Sequence, residues 1–476
     1  MNADRCRHPI NRRSFLLLAC LLTVAWHAEP AAAQTQTGQF LVITDIHFNP
    51  FADPTLFDDL HSRPASAWPR IFAGGKQQAF SGYGQDANYQ LMESCLDDAA
   101  ARIPQPDFVL YPGDFLGHYW QRDYDRLAKQ DRHQDPAAYR AFTDKAMAMM
   151  TAEFDRRFPR APIYATLGNT DAYCEDYQIE PQGGFLDHFA RSWAPLLREE
   201  SAVTEFRRSF PNWGNYSVPL AAVPKHRLIS LNNLFFSPSY DNACGNITHT
   251  PALDLLGWLA DELASARDRG ERVWLLTHVP PGLDTFATAK SRAAGGAPVT
   301  FWQSAVMARF LQLVSQYRET LAMCFVGHSH MDDYRVIQLQ GENLLLSKIV
   351  PSVSPLFANN PAYQVYQYDR ATGQILNFQT YYLTNLAELS KPNHEATADW
   401  ALEYDFRKAY GLDRVTAESI ATMSDQLRGE TLAASHYRRY YSSSAGAGID
   451  ARQLDVYRCA IISATPGMFD RCCDQK

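Results

Sequence analysis

Several things that other protein classes depend on are missing from this chain. It contains no Cys-x-x-Cys pair, which removes the thiolate zinc modules built on such pairs. It has no basic excess. Lys and Arg total 44 against 52 Asp and Glu, a net charge of -8, so no nucleic-acid polymer is expected as a partner, because that role needs a basic surface. Past the N-terminal segment it has no apolar run long enough to span a bilayer, so no transmembrane segment is expected in the mature chain. It has no internal repeat. What it does have is a globular balance: 46% hydrophobic and 20% charged residues over 476 positions, ample for a large core.

The N-terminus reads as an export signal. A basic start is followed by an apolar stretch from Phe15 to Trp26 and by Ala31-Ala32-Ala33 before Gln34, the layout of a cleaved leader. Residues 1–33 are assigned to it. Asn11-Arg12-Arg13-Ser14-Phe15-Leu16 resembles the twin-arginine type, a signal read by its own export route. Leu17-Leu18-Ala19-Cys20 has the look of a lipoprotein box, but the apolar run continues past Cys20. A secreted or periplasmic location follows. Removal of Cys6 and Cys20 would leave Cys95, Cys174, Cys244, Cys324, Cys459, Cys472 and Cys473. That odd number leaves at least one thiol unpaired in a compartment that permits disulfides.

Short apolar runs recur, and each stops abruptly at polar residues. Phe40–Thr44 meets Asp45-Ile46-His47. Asp107–Pro112 meets Gly113-Asp114. Pro162–Leu167 meets Gly168-Asn169. Arg227–Leu231 meets Asn232-Asn233. Arg272–Thr277 meets His278, and Leu321–Val326 meets Gly327-His328-Ser329-His330. The runs have the length of buried strands. Helical patterns lie between them at 89–102, 136–158, 252–269 and 301–317, so the order predicts an α/β layered fold with sites at the carboxyl ends of strands. Residues 334–340, 343–350 and 364–383 read as antiparallel strands with a turn at Thr372-Gly373. From about residue 391 the pattern turns helical, with helices expected over 395–410, 416–432 and up to Cys459.

The strand-end residues share one chemistry. Asp45, His47, Asp114, Asn169, His278, His328 and His330 offer oxygen or imidazole donors and no thiol. Together they suit two divalent metals. Taken singly each is bland, since an Asp-x-His caps a helix, a Gly-Asp turns a chain, and an Asn after Gly does the same. Five such signatures in series, each closing an apolar run, are not a coincidence. Two metals about 3.5–4 Å apart clamp a phosphate and lower the pKa of a shared water until it is a bridging hydroxide able to attack phosphorus in line. Zn²⁺ is the expected ion, given four imidazoles and an export signal, with Fe²⁺ and Mn²⁺ as alternatives.

The series Asp-x-His, Gly-Asp, Gly-Asn, a lone His, and Gly-His-x-His resembles the calcineurin-like metallophosphoesterases. Within them the chain is most similar to the acid sphingomyelinase and sphingomyelinase-like phosphodiesterase group. The finer likeness lies in Thr44–Pro50, Gly113–His118, Ser230–Asn233, Trp400–Tyr410, and Tyr457-Arg458-Cys459 with Cys472. It spans essentially the whole mature chain. The resemblance implies a four-layer α-β-β-α sandwich over 38–390 and a small helical subdomain over 391–476. It implies that Asp45, His47 and His330 bind one metal, that Asn169, His278 and His328 bind the other, and that Asp114 bridges both. Asn169 would also count among the catalytic residues, His118 would be the general acid at the leaving-group oxygen, and Asp171 would make a supporting bond to the ligand set. The activity implied is a phosphodiesterase on a small-molecule phosphodiester, a nucleotide or choline ester, acting as a monomer. Alternatives on the same core are a phosphomonoesterase or polyphosphatase, and a catalytically silent metal-binding protein.

Three departures bear on that picture. The group's Gly-Asn-His-[Asp/Glu] is Gly168-Asn169-Thr170-Asp171 here, so His118 would act without the second histidine. Gly82-Tyr83-Gly84-Gln85-Asp86 lacks the cysteine that relatives carry before the aspartate, so one family disulfide is expected to be missing. No saposin-like, cysteine-spaced module precedes Phe40, which favours soluble substrates over membrane-embedded lipid. The C-terminal cysteines suggest a disulfide between Cys459 and Cys472 or Cys473, and Cys174 could pair with Cys244. Cys324 is expected as a buried thiol within a strand. Residues 51–81 and 174–213 read as loops that choose the substrate, with Phe57, Trp68, Phe72, Trp193 and Trp213 expected to pack rather than to stack on a ligand.

Overall fold

In the computed structural model, described for residues 36–244, 251–446 and 449–474, the apolar runs become strands of two sheets. The twelve strands among these residues are β1 (Thr37–Val42), β2 (Val109–Tyr111), β3 (Ile163–Ala165), β4 (Tyr216–Pro219), β5 (His226–Ser230), β6 (Arg272–Leu276), β7 (Leu321–Val326), β8 (Asp333–Leu339), β9 (Glu342–Ile349), β10 (Ala362–Asp369), β11 (Ile375–Leu383) and β12 (Trp400–Asp405). One sheet has the order β12-β11-β10-β1-β2-β3 and the other β4-β5-β6-β7-β9-β8. The export signal expected over 1–33 lies outside the described residues.

β1, β2 and β3 pair in parallel, as do β5, β6, β7 and β9. Parallel strands need crossovers, and the helices Tyr89–Arg102, Pro136–Arg157, Ala252–Asp268 and Ser304–Gln316 supply them. The first two lie on the outer face of the first sheet, the last two on that of the second. This is the expected four-layer arrangement. The inner faces meet through aromatic rings. Phe40 of β1 lies 5.4 Å from Trp274 of β6 and 5.7 Å from Phe325 of β7, and Tyr366 of β10 lies 5.3 Å from Phe325. Such pairs add about 0.5–1.5 kcal/mol each beyond their buried area.

The expectations over 51–81, 174–213 and 395–410 need correction. Both presumed loops contain helices: Phe57–Ser62 and Trp68–Gly74 in the first, Gly184–Trp193 and Glu200–Trp213 in the second. Phe57, Trp68, Phe72 and Trp193 are buried, and Trp213 packs partly buried against the core, so these aromatics do pack. Residues 400–405 are not helical. They form β12 at the edge of the first sheet, paired antiparallel with β11. Pairing there buries Trp400 and Tyr404, and that tertiary gain overrides local helix preference. Helices follow at Phe406–Tyr410, Ala417–Gln426, Leu432–Tyr440, Leu454–Ile461 and Pro466–Asp474. Cys459 pairs with Cys472 and Cys174 with Cys244, while Cys95, Cys324 and Cys473 are free. Among the described residues no helix is long and apolar enough to cross a membrane.

The acids after His330 anchor this later region. Asp332 is buried and accepts from Lys348 Nζ (2.5 Å), Gln364 Nε2 (2.9 Å), Thr380 Oγ1 (3.0 Å) and Tyr404 OH (2.8 Å). Its neighbour Asp333 pairs with Arg335 (2.7 Å) and accepts from Tyr437 OH (2.7 Å). A buried charge is tolerated only when it is fully paired, so these contacts lock the chain directly after His330.

Candidate metal centre

All seven proposed ligands converge where the carboxyl ends of β1, β2 and β3 meet those of β6 and β7. Asp114, on the turn after β2, stands in the middle. Its Oδ2 is 3.2 Å from His47 Nε2 and 3.1 Å from His278 Nε2. On one side, His47 Nε2 is 3.0 Å from His330 Nε2, and Asp45 Oδ1 lies 3.6 Å from His330 Nε2. On the other, Asn169 Oδ1 lies 3.0 Å from His278 Nε2 and 2.8 Å from His328 Nδ1. Asp45, His47 and His330 form one cluster with metal-ligand spacing, and Asp114, His278 and His328 form another.

Local backbone makes the convergence. Asp45, His47, Asp114, His328 and His330 all have left-handed φ, between 47° and 74°. Non-glycine residues enter that region at a cost and concentrate at functional sites. Backbone bonds pin the turns to one another: Asp45 N donates to Gly113 O and His47 N to Asp114 O, each at 3.1 Å. A Cβ on Gly168 would fall on Asp114, and one on Gly327 would fall on the Asp45 carboxylate. Both glycines are therefore required for close approach.

The outer contacts orient the donors. His47 Nδ1 lies 3.0 Å from Leu116 O and His278 Nδ1 2.8 Å from Pro112 O. Donation from Nδ1–H to those carbonyls turns both Nε2 atoms inward. His328 is reversed: its Nδ1 faces inward and its Nε2 meets Tyr177 OH at 3.1 Å. Asp171 accepts from the N–H groups of Asp114, Phe115, Leu116 and Gly168 at 2.8–3.1 Å, so it shapes the Asp114 turn rather than facing the cluster. Asn233, at the end of β5, accepts from the N–H groups of His278 and Val279 (3.1 and 3.0 Å) and sets the turn after β6.

Electrostatics agree with a cation site. Burial would lower the pKa of His47, but the Asp114 charge and hydrogen bond outweigh it and raise it to about 10. His278 is raised to about 9 by the same balance. Burial and the His278 charge push His328 down to about 3, and burial with the His47 charge lowers His330. Against its burial, Asp114 is held well below the carboxylate range by His278 and His47. Lone pairs and carboxylates aimed at common points call for positive charge between them, and oxygen and imidazole donors fit divalent metals of the zinc, iron and manganese kind.

His118 lies beside this cluster, its ring stacked on His47 at 4.1 Å. Its Nδ1 is 3.0 Å from Asp86 Oδ1 and its backbone N donates to Asp86 Oδ2 at 2.6 Å. Against burial, those bonds lower the Asp86 pKa. Thr170, where the group carries histidine, is buried. Its N–H and hydroxyl each lie 3.0 Å from Asp114 Oδ1, and the hydroxyl is 2.8 Å from Leu116 O. Sequence reasoning missed the roles of Asp86, Asp176 and Tyr177. Asp176 accepts from Asn169 Nδ2 at 2.7 Å. No local pattern marks any of the three, since each is defined only by the side chain it meets across the fold.

Comparison with known proteins places the chain. The calcineurin-like phosphoesterase family model matches residues 38–332, well over half the chain, so this protein belongs to the calcineurin-like phosphoesterases. The acid sphingomyelin phosphodiesterase C-terminal region matches residues 344–463. Its relatives are acid sphingomyelinase-like phosphodiesterases. Human acid sphingomyelinase-like phosphodiesterase 3b is 28% identical, covering 91% of this chain and 88% of the relative. The cyclic GMP-AMP phosphodiesterase SMPDL3A of Rattus norvegicus is 25% identical, covering 95% and 97%. Sphingomyelin phosphodiesterase A of Dictyostelium discoideum is 24% identical, covering 91% and 68%. Family and relatives together make this chain a metal-dependent phosphodiesterase.

Proposed function

We propose that the protein is an exported, monomeric phosphodiesterase that holds two divalent ions, zinc by preference, and cleaves small nucleotide or choline phosphodiesters. The observation that carries the reading is the placement of Asp114 Oδ2 at near-equal distance from His47 Nε2 and His278 Nε2, as a shared ligand requires. Asp45, His47 and His330 hold one ion, Asn169, His278 and His328 the other. When bound, the ions supply Lewis acidity and an activated water. Relatives named for cyclic GMP-AMP and for sphingomyelin support the substrate class, and the two disulfides support export.

The chain's own residues supply the rest. Asp86 takes the Nδ1–H of His118, which fixes the tautomer and leaves Nε2 to carry a proton toward the leaving-group oxygen. Asp176 accepts from the Asn169 amide nitrogen, so that the amide oxygen stays turned to His278 and His328. Thr170 steadies Asp114 and carries no proton, so His118 is the single acid. The test is metal content by elemental analysis, paired with hydrolysis of bis(p-nitrophenyl) phosphate against the monoester. Two equivalents and preference for the diester are expected. Monoester preference would make the protein a phosphatase, and bound metal without turnover would make it a binding protein.

A further inference from the structure

Exposed aromatic rings gather on one side of the centre. Among the described residues, Tyr83, Tyr119 and Phe357 are solvent-exposed, at 43%, 65% and 50%, and the rings of Tyr119 and Phe357 lie 6.4 and 6.2 Å from that of His118. Tyr83 is on the loop that carries Asp86, and Tyr119 follows His118 directly. The Phe357 ring sits edge-on to His330 at 4.6 Å and 6.2 Å from the ring of His118. Large rings are costly to leave in water, and when they rim a polar site they mark a contact surface.

Phe357 is held there by its loop. Ser352 N donates to His330 O (3.2 Å), Val353 N to Thr44 O (3.2 Å) and Ser354 N to Asp45 O (3.0 Å). Ser354 Oγ reaches Asp86 Oδ1 at 3.2 Å, and the Asn359 amide ties back to Ser352 Oγ and Ser354 O at 3.0 Å. The ring is thus a fixed platform at the same wall as the proton donor. Tyr119, 6.4 Å from His118 ring to ring, carries the Arg122 guanidinium 4.1 Å over its face, and the ion pair of Arg122 is a 3.4 Å contact to the adjacent Asp123. That stack presents a flat cationic plane, which attracts a base or an anion and repels an ammonium.

Resting on the phosphodiesterase reading, we infer that Phe357 and the Tyr119–Arg122 stack form the leaving-group subsite, and that they select a nucleoside-bearing leaving group over choline. His118 delivers its proton to the departing oxygen, so whatever leaves lies beside the two rings that neighbour His118, Phe357 and Tyr119. A base stacks on Phe357 and on the guanidinium plane, while a quaternary ammonium finds the Tyr119 face already covered by a like charge.

The test compares the metal-loaded wild type with Phe357→Ala and Phe357→Tyr on the dinucleoside monophosphate ApA and on glycerophosphocholine, together with equilibrium binding of adenosine monophosphate and phosphocholine. Phe357→Ala should raise KM for ApA about tenfold and weaken adenosine monophosphate binding by about the same factor, the usual size of one lost base stack. Its kcat on ApA and both glycerophosphocholine parameters should stay within about twofold, and Phe357→Tyr should restore ApA binding. An equal loss on both esters, or no change in adenosine monophosphate affinity, would overturn the subsite. No turnover of either ester by the wild type, with adenosine monophosphate binding still dependent on Phe357, would remove the phosphodiesterase reading and leave the base platform standing.

Discussion

The two halves of the centre are built alike and charged differently. Each half has one imidazole against Asp114 and one turned away from it. In each, the first takes a raised pKa and the second a lowered one: His47 and His330 in one half, His278 and His328 in the other. The halves differ in the remaining donor, the Asp45 carboxylate on one side and the neutral Asn169 amide on the other. His118 also stands on the Asp45 side, stacked on His47. One formal charge at ligand distance is a large electrostatic difference in a buried site. A near-symmetric geometry thus carries unequal charge on its two sides, and we expect the Asp45 side to hold a cation more tightly than the Asn169 side.

The largest expected effect removes what the halves share. Asp114→Ala should abolish both sites, with metal content near zero by elemental analysis and a drop in diester turnover of at least about a thousandfold, since each ion contributes several kcal/mol. Intact folding by circular dichroism would assign the loss to the centre. Next, His118→Ala should lower kcat by about a hundredfold or more on ApA and by much less on bis(p-nitrophenyl) phosphate, whose leaving group needs no proton. An equal loss on both substrates would remove the acid role.

The charge difference itself is tested by graded chelation. One equivalent of metal should leave well before the other, and Asn169→Asp should bring the two steps together; simultaneous release from the wild type would show the two sites to be equal. Loading should also depend on pH. Without metal, His47 and His278 are charged at neutral pH, with pKa values raised to about 10 and about 9 from the usual 6.5. Their pairing with Asp114 therefore stabilises the metal-free fold fully below about pH 6.5, and that contribution is lost as pH rises through 9 to 10. Metal must displace those protons, so affinity should climb over the same window, with protons released into weakly buffered solution. Titration calorimetry in buffers of different ionisation enthalpy reads this directly. The smallest effect is expected from Thr170→Val. It keeps the backbone N–H on Asp114 and removes only the hydroxyl, so turnover should fall about tenfold, the low end for outer contacts of a metal site.

Legibility in the sequence followed how local each feature is. The convergence of the donor series could be read because a strand that ends in a polar residue is a local pattern, and the parallel order then sends every such end to the same edge. Phe57, Trp68, Phe72 and Trp193 were rightly read as packing residues because burial is the default for large rings. The helices around them were not read, and neither was β12, because Trp400–Asp405 becomes a strand only when β11 offers it an edge. Asp86 was visible merely as the residue after a missing cysteine. Its bond to His118 joins two loops that neither spacing nor propensity connects.

By itself, the sequence determined the chemistry: seven oxygen and imidazole donors at strand ends, no thiolate site, an acid-poor replacement at Thr170, and a family that matches over most of the chain. The tertiary structure alone decided which donors face Asp114, that His328 turns Nδ1 inward while its neighbours turn Nε2, that the acids after His330 anchor the C-terminal region, and that Phe357 stands beside His118. The reason is physical. Residue type and strand ends are encoded within a few positions of the chain, but ligand pairing, ring orientation and rim composition depend on contacts between residues tens to hundreds of positions apart, which exist only once the two sheets have packed.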